Sequence, residues 1–296
     1  MFDLRYHVTS LAAVFIALLI GILVGVALAS HGLGSSERKG LEDDVRRAQN
    51  KIDALQTQVD SLRQSRRSAA TFVDSTYNAL MTDRLRGKRI AVLFVGSVDD
   101  RVQGDISAAI KDAGGRAALR MYAVQVPVDA AAIQKRLANR PALAQYAGDD
   151  QLRSLGKQLG REFVNGNDTP LWSALHNLIV QEATPRFGTS KRPADAVIVV
   201  RTADPQTGET APFVKGLYEG VADAGVPVVG VAQSTSDFTA RPVYQQAQLS
   251  TVDDIDLAAG KLALAIVLSE PASRADYGVN VPDLLPPVTP VLAPSG

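Results

Sequence analysis

Hydrophobic and polar positions divide this chain into three regimes. From Val8 to Ala29 there are 22 successive residues without a charge, VTSLAAVFIALLIGILVGVALA. At about 1.5 Å per residue a helix of that length covers roughly the 30 Å of a bilayer core. The run predicts a transmembrane helix over 8–30, behind a short polar head at 1–7. Within it Ala13, Ala17, Gly21, Gly25 and Ala29 recur at every fourth position. They form one stripe of small side chains where a second helix can approach closely. After a glycine- and serine-rich joint at 31–36 the apolar residues fall at Leu41, Val45, Ala48, Ile52, Leu55, Val59 and Leu62. These spacings of four and three mark a coiled-coil seam.

Val45, Ile52 and Val59 take position a, with Leu41, Leu55 and Leu62 at d, and β-branched residues at a with leucine at d favour two parallel strands. The expectation is a parallel homodimeric coiled coil over 36–86, its interface formed by Gly21, Gly25, Leu41, Val45, Ile52, Leu55, Val59 and Leu62. Beyond Leu62 the stripe weakens to Arg66, Ala69, Val73, Thr76 and Leu80. Neighbouring Lys51, Gln56, Gln58 and Arg63 offer no good ion pairs, so the pairing rests on the core positions. A single amphipathic helix packed on its own domain would show the same stripe.

The third regime alternates short apolar runs with helical patterns. Arg89–Val95, Ala117–Val126, Ala194–Val200 and Val226–Val231 read as strands apolar on both faces, which parallel sheets require. Between them lie a helix after Asp100 running through Lys111 and one capped by Asp129 through Leu137. The region 141–184 reads as wholly helical, with Leu152, Leu155, Leu159 and Phe163 on one face and Leu171, Trp172, Leu175, Leu178 and Ile179 on another. A further helix covers Ala211–Ala224, and the last runs from Asp254 to Leu268, opened by acids that suit its positive dipole end. The strand and helix order implies right-handed βαβ units. The fold class is therefore α/β: a transmembrane helix and parallel coiled coil, then a doubly wound, mostly parallel domain over 88–270 with a helical insertion. A proline-rich tail at 271–296 reads as polyproline-like or disordered.

Composition narrows the chemistry. Lys+Arg and Asp+Glu are 31 each, so no net charge argues for nucleic acid. Zero cysteines remove disulfides, thiolate metal sites and thiol catalysis together. Ala27-Leu28-Ala29 also fits a signal-peptidase site, although the apolar run is longer than a usual signal core. Flanking positive residues favour a cytoplasmic domain when counted literally, yet Arg38, Lys39, Arg46 and Arg47 are interleaved with acids.

Doubly wound sheets bind ligands beyond the carboxyl ends of their strands, which makes Gly96, Ser97, Asp99 and Ser234 the candidate ligand crevice. No dinucleotide fingerprint, phosphate-binding loop or nucleophile elbow follows any strand. His7, His31 and His176 are scattered, and His176 reads as a surface or interface residue. Asp253, Asp254 and Asp256 could hold a hard cation, but helix capping accounts for them. The residues supply no catalytic set, cofactor site or metal site.

The opening MFDLRYHVTSLAAVF with the small-residue run behind it, LSTVDDIDLAAGKLALAIVL at Leu249 to Leu268, and the pair Tyr277-Gly278 resemble the actinobacterial MctB/SteB family across nearly the whole chain. Its members are described in two ways. One is as copper-transport outer-membrane channel proteins. The other is as single-pass envelope proteins whose paired ectodomains join a membrane partner, SteA, in cell division and wall assembly. The resemblance implies a cell-membrane protein with its C-terminal domain outside the cytoplasm. The strands are short and apolar on both faces, unlike the alternating strands of a membrane barrel. Copper coordination would draw on only three methionines and three histidines. The residues therefore favour a non-enzymatic membrane-anchored adaptor, with copper transport and small-ligand sensing as the alternatives.

Overall fold

The computed structural model describes residues 4–29, 35–181, 191–235, 239–270 and 274–288. Contacts divide the chain into two units, Met1–Ser68 and Ala69–Gly296. In the first, α1 (Leu4–Ala29) starts inside the expected polar head; α2 (Ser35–Met81), one uninterrupted helix of 47 residues, begins there and ends in the second. Glycine and serine at the expected joint do not delay it, since Ser35 and Ser36 already belong to α2; 31–34 lie outside the described residues. The described side chains of α1 run from Leu11 to Ala27, and among the described residues no helix is long and apolar enough to cross a membrane. The coil was expected to reach Arg86; α2 stops at Met81, where a turn brings Asp83 to φ 61°.

The second unit is a six-stranded parallel sheet. β1 (Ile90–Val95), α3 (Asp100–Asp112), β2 (Arg120–Val124) and α4 (Ala130–Ala138) come first. α5 (Leu152–Asn165) and α6 (Pro170–Ile179) follow, then β3 (Ala196–Arg201), α7 (Thr210–Ala222) and β4 (Val228–Val231). α8 (Arg241–Gln246), β5 (Ser250–Val252), α9 (Ala258–Ser269) and β6 (Asp276–Tyr277) complete it. The spatial order is β2-β1-β3-β4-β5-β6, every pair parallel. The order reverses between β1 and β3, which is the doubly wound signature.

Strand alternation builds two cores. Ala91, Leu93 and Val95 of β1 face a layer containing α4 to α8, while Ile90, Val92 and Phe94 face α3, α9 and the end of α2. The end of α2 contributes buried Val73 and Met81 to the second core. α9 is apolar all round because the sheet and α3 cover it and Leu284 and Leu285 pack into the same core.

Two expectations are corrected here. The region 141–184 is not one helical block: 3₁₀ turns at Pro141–Tyr146 and Asp149–Gln151 precede α5, and Gly166 at φ 72° ends α5 before α6. Val180 then pairs with Val124 in an isolated bridge, and 182–190 lie outside the described residues. Nor is everything after Pro271 unstructured. β6 pairs with β5 at Thr251–Asp276 and Val252–Tyr277, so the chain from 274 to 288 closes the sheet edge; 289–296 lie outside the described residues.

α5 and α7 cross at glycines. A Cβ at Gly156 would lie 2.1 Å from the Phe213 carbonyl oxygen, and one at Gly220 would lie 2.0 Å from that of Lys157. Backbone packs directly on backbone there, flanked by Arg153–Glu219 at 2.6 Å and Lys157–Asp223 at 2.7 Å. This crossing holds the helical insertion against the sheet layer.

Candidate functional site

Three places carry the candidate residues. The first is the stripe on α2. Leu41, Val45, Ile52, Leu55, Val59 and Leu62, the large residues among the seven positions that the heptad spacing assigns to a and d, are 44, 63, 54, 52, 41 and 59% exposed. A Cβ at Gly21 or Gly25 would meet nothing within 4 Å among the described residues.

The second is the carboxyl edge of the sheet. Gly96 follows β1 at φ 110°, and a Cβ there would stand 2.5 Å from Thr202 Oγ1 and 2.7 Å from Ala203 N. Thr202 Oγ1 donates to the Ser97 carbonyl at 2.6 Å, and the Thr202 and Ala203 amides donate to the Val95 carbonyl at 3.0 and 3.2 Å. The ends of β1 and β3 are thus stitched together where the strand order reverses. Asp99 accepts from the Arg101 and Val102 amides at 2.9 and 3.1 Å and caps α3. Ser234, beyond β4, donates from its amide and hydroxyl to Asp256 at 2.6 and 2.7 Å. These four residues lie along one edge, but the polar groups named are engaged within the domain rather than turned toward a shared ligand. Ser236 and Asp237 of the same loop lie outside the described residues.

The acids beyond β5 need correcting. They do not cap α9, which begins at Ala258 with Leu257 in the cap position and no side-chain cap bond. Asp253 and Asp254 are wholly buried. Arg241 pairs with Asp253. Neither Asp254 carboxyl oxygen has a hydrogen-bond partner among the described residues, and burial, reinforced by Asp253 and Asp256, pushes the carboxyl up to about 7. The carboxyls fit because Gly260 and Gly278 lack side chains: a Cβ at Gly278 would lie 1.9 Å from Asp253 Oδ1. Among the described residues no three of His, Cys, Asp and Glu are grouped to hold a metal ion.

The third place was not anticipated from sequence. At the opposite, amino edge of the sheet lies a cavity of about 170 Å³ lined by Arg120, Tyr122, Glu162, Phe163, Trp172 and His176, among others. Arg120 opens β2 and reaches under the end of α5, donating to the Phe163 carbonyl at 2.8 Å and to that of Arg192. Gly166 permits this approach, since its Cβ would fall 2.3 Å from Arg120 Nη2. Glu162 accepts from the Leu171 and Trp172 amides at 3.1 and 3.2 Å, capping α6 where Thr169 makes no side-chain cap. Burial pushes its carboxyl up to about 7 against those two bonds, which pull the other way. The Tyr122 ring stands 4.9 Å from Trp172 and 5.6 Å from Phe163, with His176 edge-on at 6.1 Å. An arginine inside an apolar strand run and a glutamate between Leu159 and Phe163 were the available sequence signals.

With that geometry in place, comparison with known proteins decides the family. The model of the family described as "Copper transport outer membrane protein, MctB" matches residues 1–282. The chain belongs to the MctB family. It is also similar to proteins named "Copper transporter MctB" in Mycobacterium bovis and Mycobacterium tuberculosis, 27% identical over 299 aligned positions that cover 91% of this chain and 93% of the relative. The MctB match takes in α1, α2 and the whole sheet.

Proposed function

We propose that this MctB-family chain is a single-pass, membrane-anchored homodimer whose coiled-coil stalk carries two α/β domains outside the membrane as a docking platform in envelope assembly or division. The observation that carries it is the α2 stripe: six large apolar side chains, each 41–63% exposed, at the positions that face a partner in a parallel coil. The 22-residue uncharged run supports the anchor, and the helical backbone of Leu4–Ala29 gives it about 39 Å of length. Orientation and a SteA-like membrane partner rest on the family resemblance.

The test uses the absence of native cysteine. In intact membranes Ile52→Cys forms an interchain disulfide readily, Gln49→Cys at a flanking position less so, and Arg46→Cys on the outer face hardly at all. Equal crosslinking at all three, or none, removes the coil as the dimer seam. An export-dependent reporter fused after Gly296 is active if the domain lies outside, and activity only from a cytoplasmic reporter reverses the topology.

Copper transport is the second reading, favoured by the printed name of the mycobacterial relatives. Three methionines, three histidines and no cysteine give few soft or imidazole ligands. Calorimetry of the full-length protein with Cu(I) and Cu(II) separates the two: a stoichiometric submicromolar site makes the chain a copper binder in its own right. Heat changes without saturation leave any effect on copper indirect, through the envelope.

A further inference from the structure

Arg120 is 3% exposed, and its guanidinium meets two backbone carbonyls and no carboxylate among the described residues. Its Nε has no hydrogen-bond partner among the described residues. The negative end of α5 offsets part of the charge, yet burial still works against the protonated form. A buried arginine of this kind is ordinarily matched by an acid. The unmatched charge borders a cavity of about 170 Å³ walled by Tyr122, Phe163 and Trp172. An engineered cavity of about 150 Å³ takes benzene, so one ring fits. Lys191, Ser173 and His176 add polar groups at the exposed rim.

We propose that this cavity binds a small ring-bearing organic anion, with the ring against Tyr122 and Trp172 and the carboxylate compensating Arg120. Glu162 does not oppose an anion in its protonated form, and burial keeps that form populated up to about pH 7. The site is independent of the α2 seam and of the adaptor reading, so either can fail alone.

Trp172 is the only tryptophan in the chain, which gives a clean signal. Its emission is followed in the purified full-length protein titrated with benzoate, with benzamide as the neutral isostere and phosphate as the ringless anion. The expected result is a saturable change with benzoate, at least tenfold weaker binding of benzamide, and no displacement of benzoate by equimolar phosphate. Arg120→Gln weakens benzoate at least tenfold. Because that change also removes the clamp on α5, Ser173→Phe is the second variant: the added ring at an exposed rim position occupies the cavity and weakens benzoate equally with unchanged far-UV circular dichroism. The proposal is overturned if benzoate gives no saturation below about 10 mM, since a dissociation constant of that order corresponds to less than about 3 kcal/mol. It is also overturned if benzamide matches benzoate, if phosphate displaces it at equal concentration, or if Ser173→Phe binds as the parent does. In each of those cases Arg120 is only a clamp on the end of α5.

Discussion

Gly160→Ala at the α5–α7 crossing is a sharp test of how the helical insertion is held. A Cβ at Gly160 would stand 2.4 Å from the Leu217 carbonyl oxygen and 2.7 Å from the Val221 amide nitrogen. Non-bonded contact distances are about 3.5 Å, so the helices must part by roughly 1 Å, and a gap of that size forfeits a quarter to a half of each dispersion contact along the seam. Overpacking of this kind costs about 1–3 kcal/mol. It acts on a crossing whose buried neighbours include Leu159, Phe213 and Leu217. Alanine recovers about 1 kcal/mol of helix propensity relative to glycine, leaving a net loss of up to about 2 kcal/mol. The control is the same substitution where space is open: Gly104 in α3 has nothing within 4 Å of its would-be Cβ, so Gly104→Ala gains up to about 1 kcal/mol. Urea denaturation followed by circular dichroism reads both. If Gly160→Ala is as stable as the parent, or if both variants move the midpoint the same way, backbone contact does not hold the insertion.

Stability also depends on pH through Glu162 and Asp254, whose carboxyls are each pushed up to about 7 by burial. In the folded state they keep protons that the unfolded chain gives up near pH 4, so stability falls as pH rises from about 4 to 7 and levels off above. Each penalty is of the order of 3–4 kcal/mol at neutrality. Asp254→Asn therefore flattens the decline in urea midpoint between pH 5 and 8, and an unchanged slope refutes the assignment. Along α2, Val59→Cys crosslinks in membranes as Ile52→Cys does, whereas Val73→Cys does not, because Val73 is 3% exposed in the core of the second unit. Truncation after Glu270 strips β6 from β5 and uncovers the core that Leu284 and Leu285 cover. The result is a lower thermal midpoint and faster proteolysis near Thr251; a truncated chain as stable as the parent would show that β6 is dispensable.

Apart from α8, which no apolar pattern marked, the helices and the first four strands were legible because their signals were strong: Arg89–Val95 and Ala194–Val200 are continuous apolar runs, and Asp129 caps α4 as its position suggests. β5 and β6 have only three and two residues, too short for any period to register. Asp253 to Asp256 read as first-turn helix acids because sequence cannot show that Asp253 and Asp254 are fully buried; that follows from Gly260 and Gly278, six and more residues away in sequence, leaving room for them. Pairs of glycines four apart at Gly156, Gly160, Gly216 and Gly220 were visible, but their meaning depended on the two helices meeting. The amino-edge cavity was hidden for a related reason. Arg120, Glu162 and Trp172 come from three separate elements, and the carboxyl-edge rule directs attention to the other side of the sheet.

The stripe on α2 changes from exposed to buried along its length. Leu41 through Leu62 follow the a and d spacing and stand exposed, whereas Val73, at the next a position but one after Val59, is buried in the unit that begins at Ala69. Arg66 fills the a position between them, a long charged side chain where a tight two-stranded seam would place an apolar knob. Tyr77 donates to Asp112 of α3 at 2.9 Å, and Leu80 packs into the same core as Met81. The single-amphipathic-helix reading therefore accounts for the stretch from Val73 onward, and the proposed coiled coil concerns only Leu41 through Leu62. From Val73 onward the face is spent on the chain's own domain and is closed to a second copy. Pairing in the proposed dimer is then confined to the stretch of α2 before Val73.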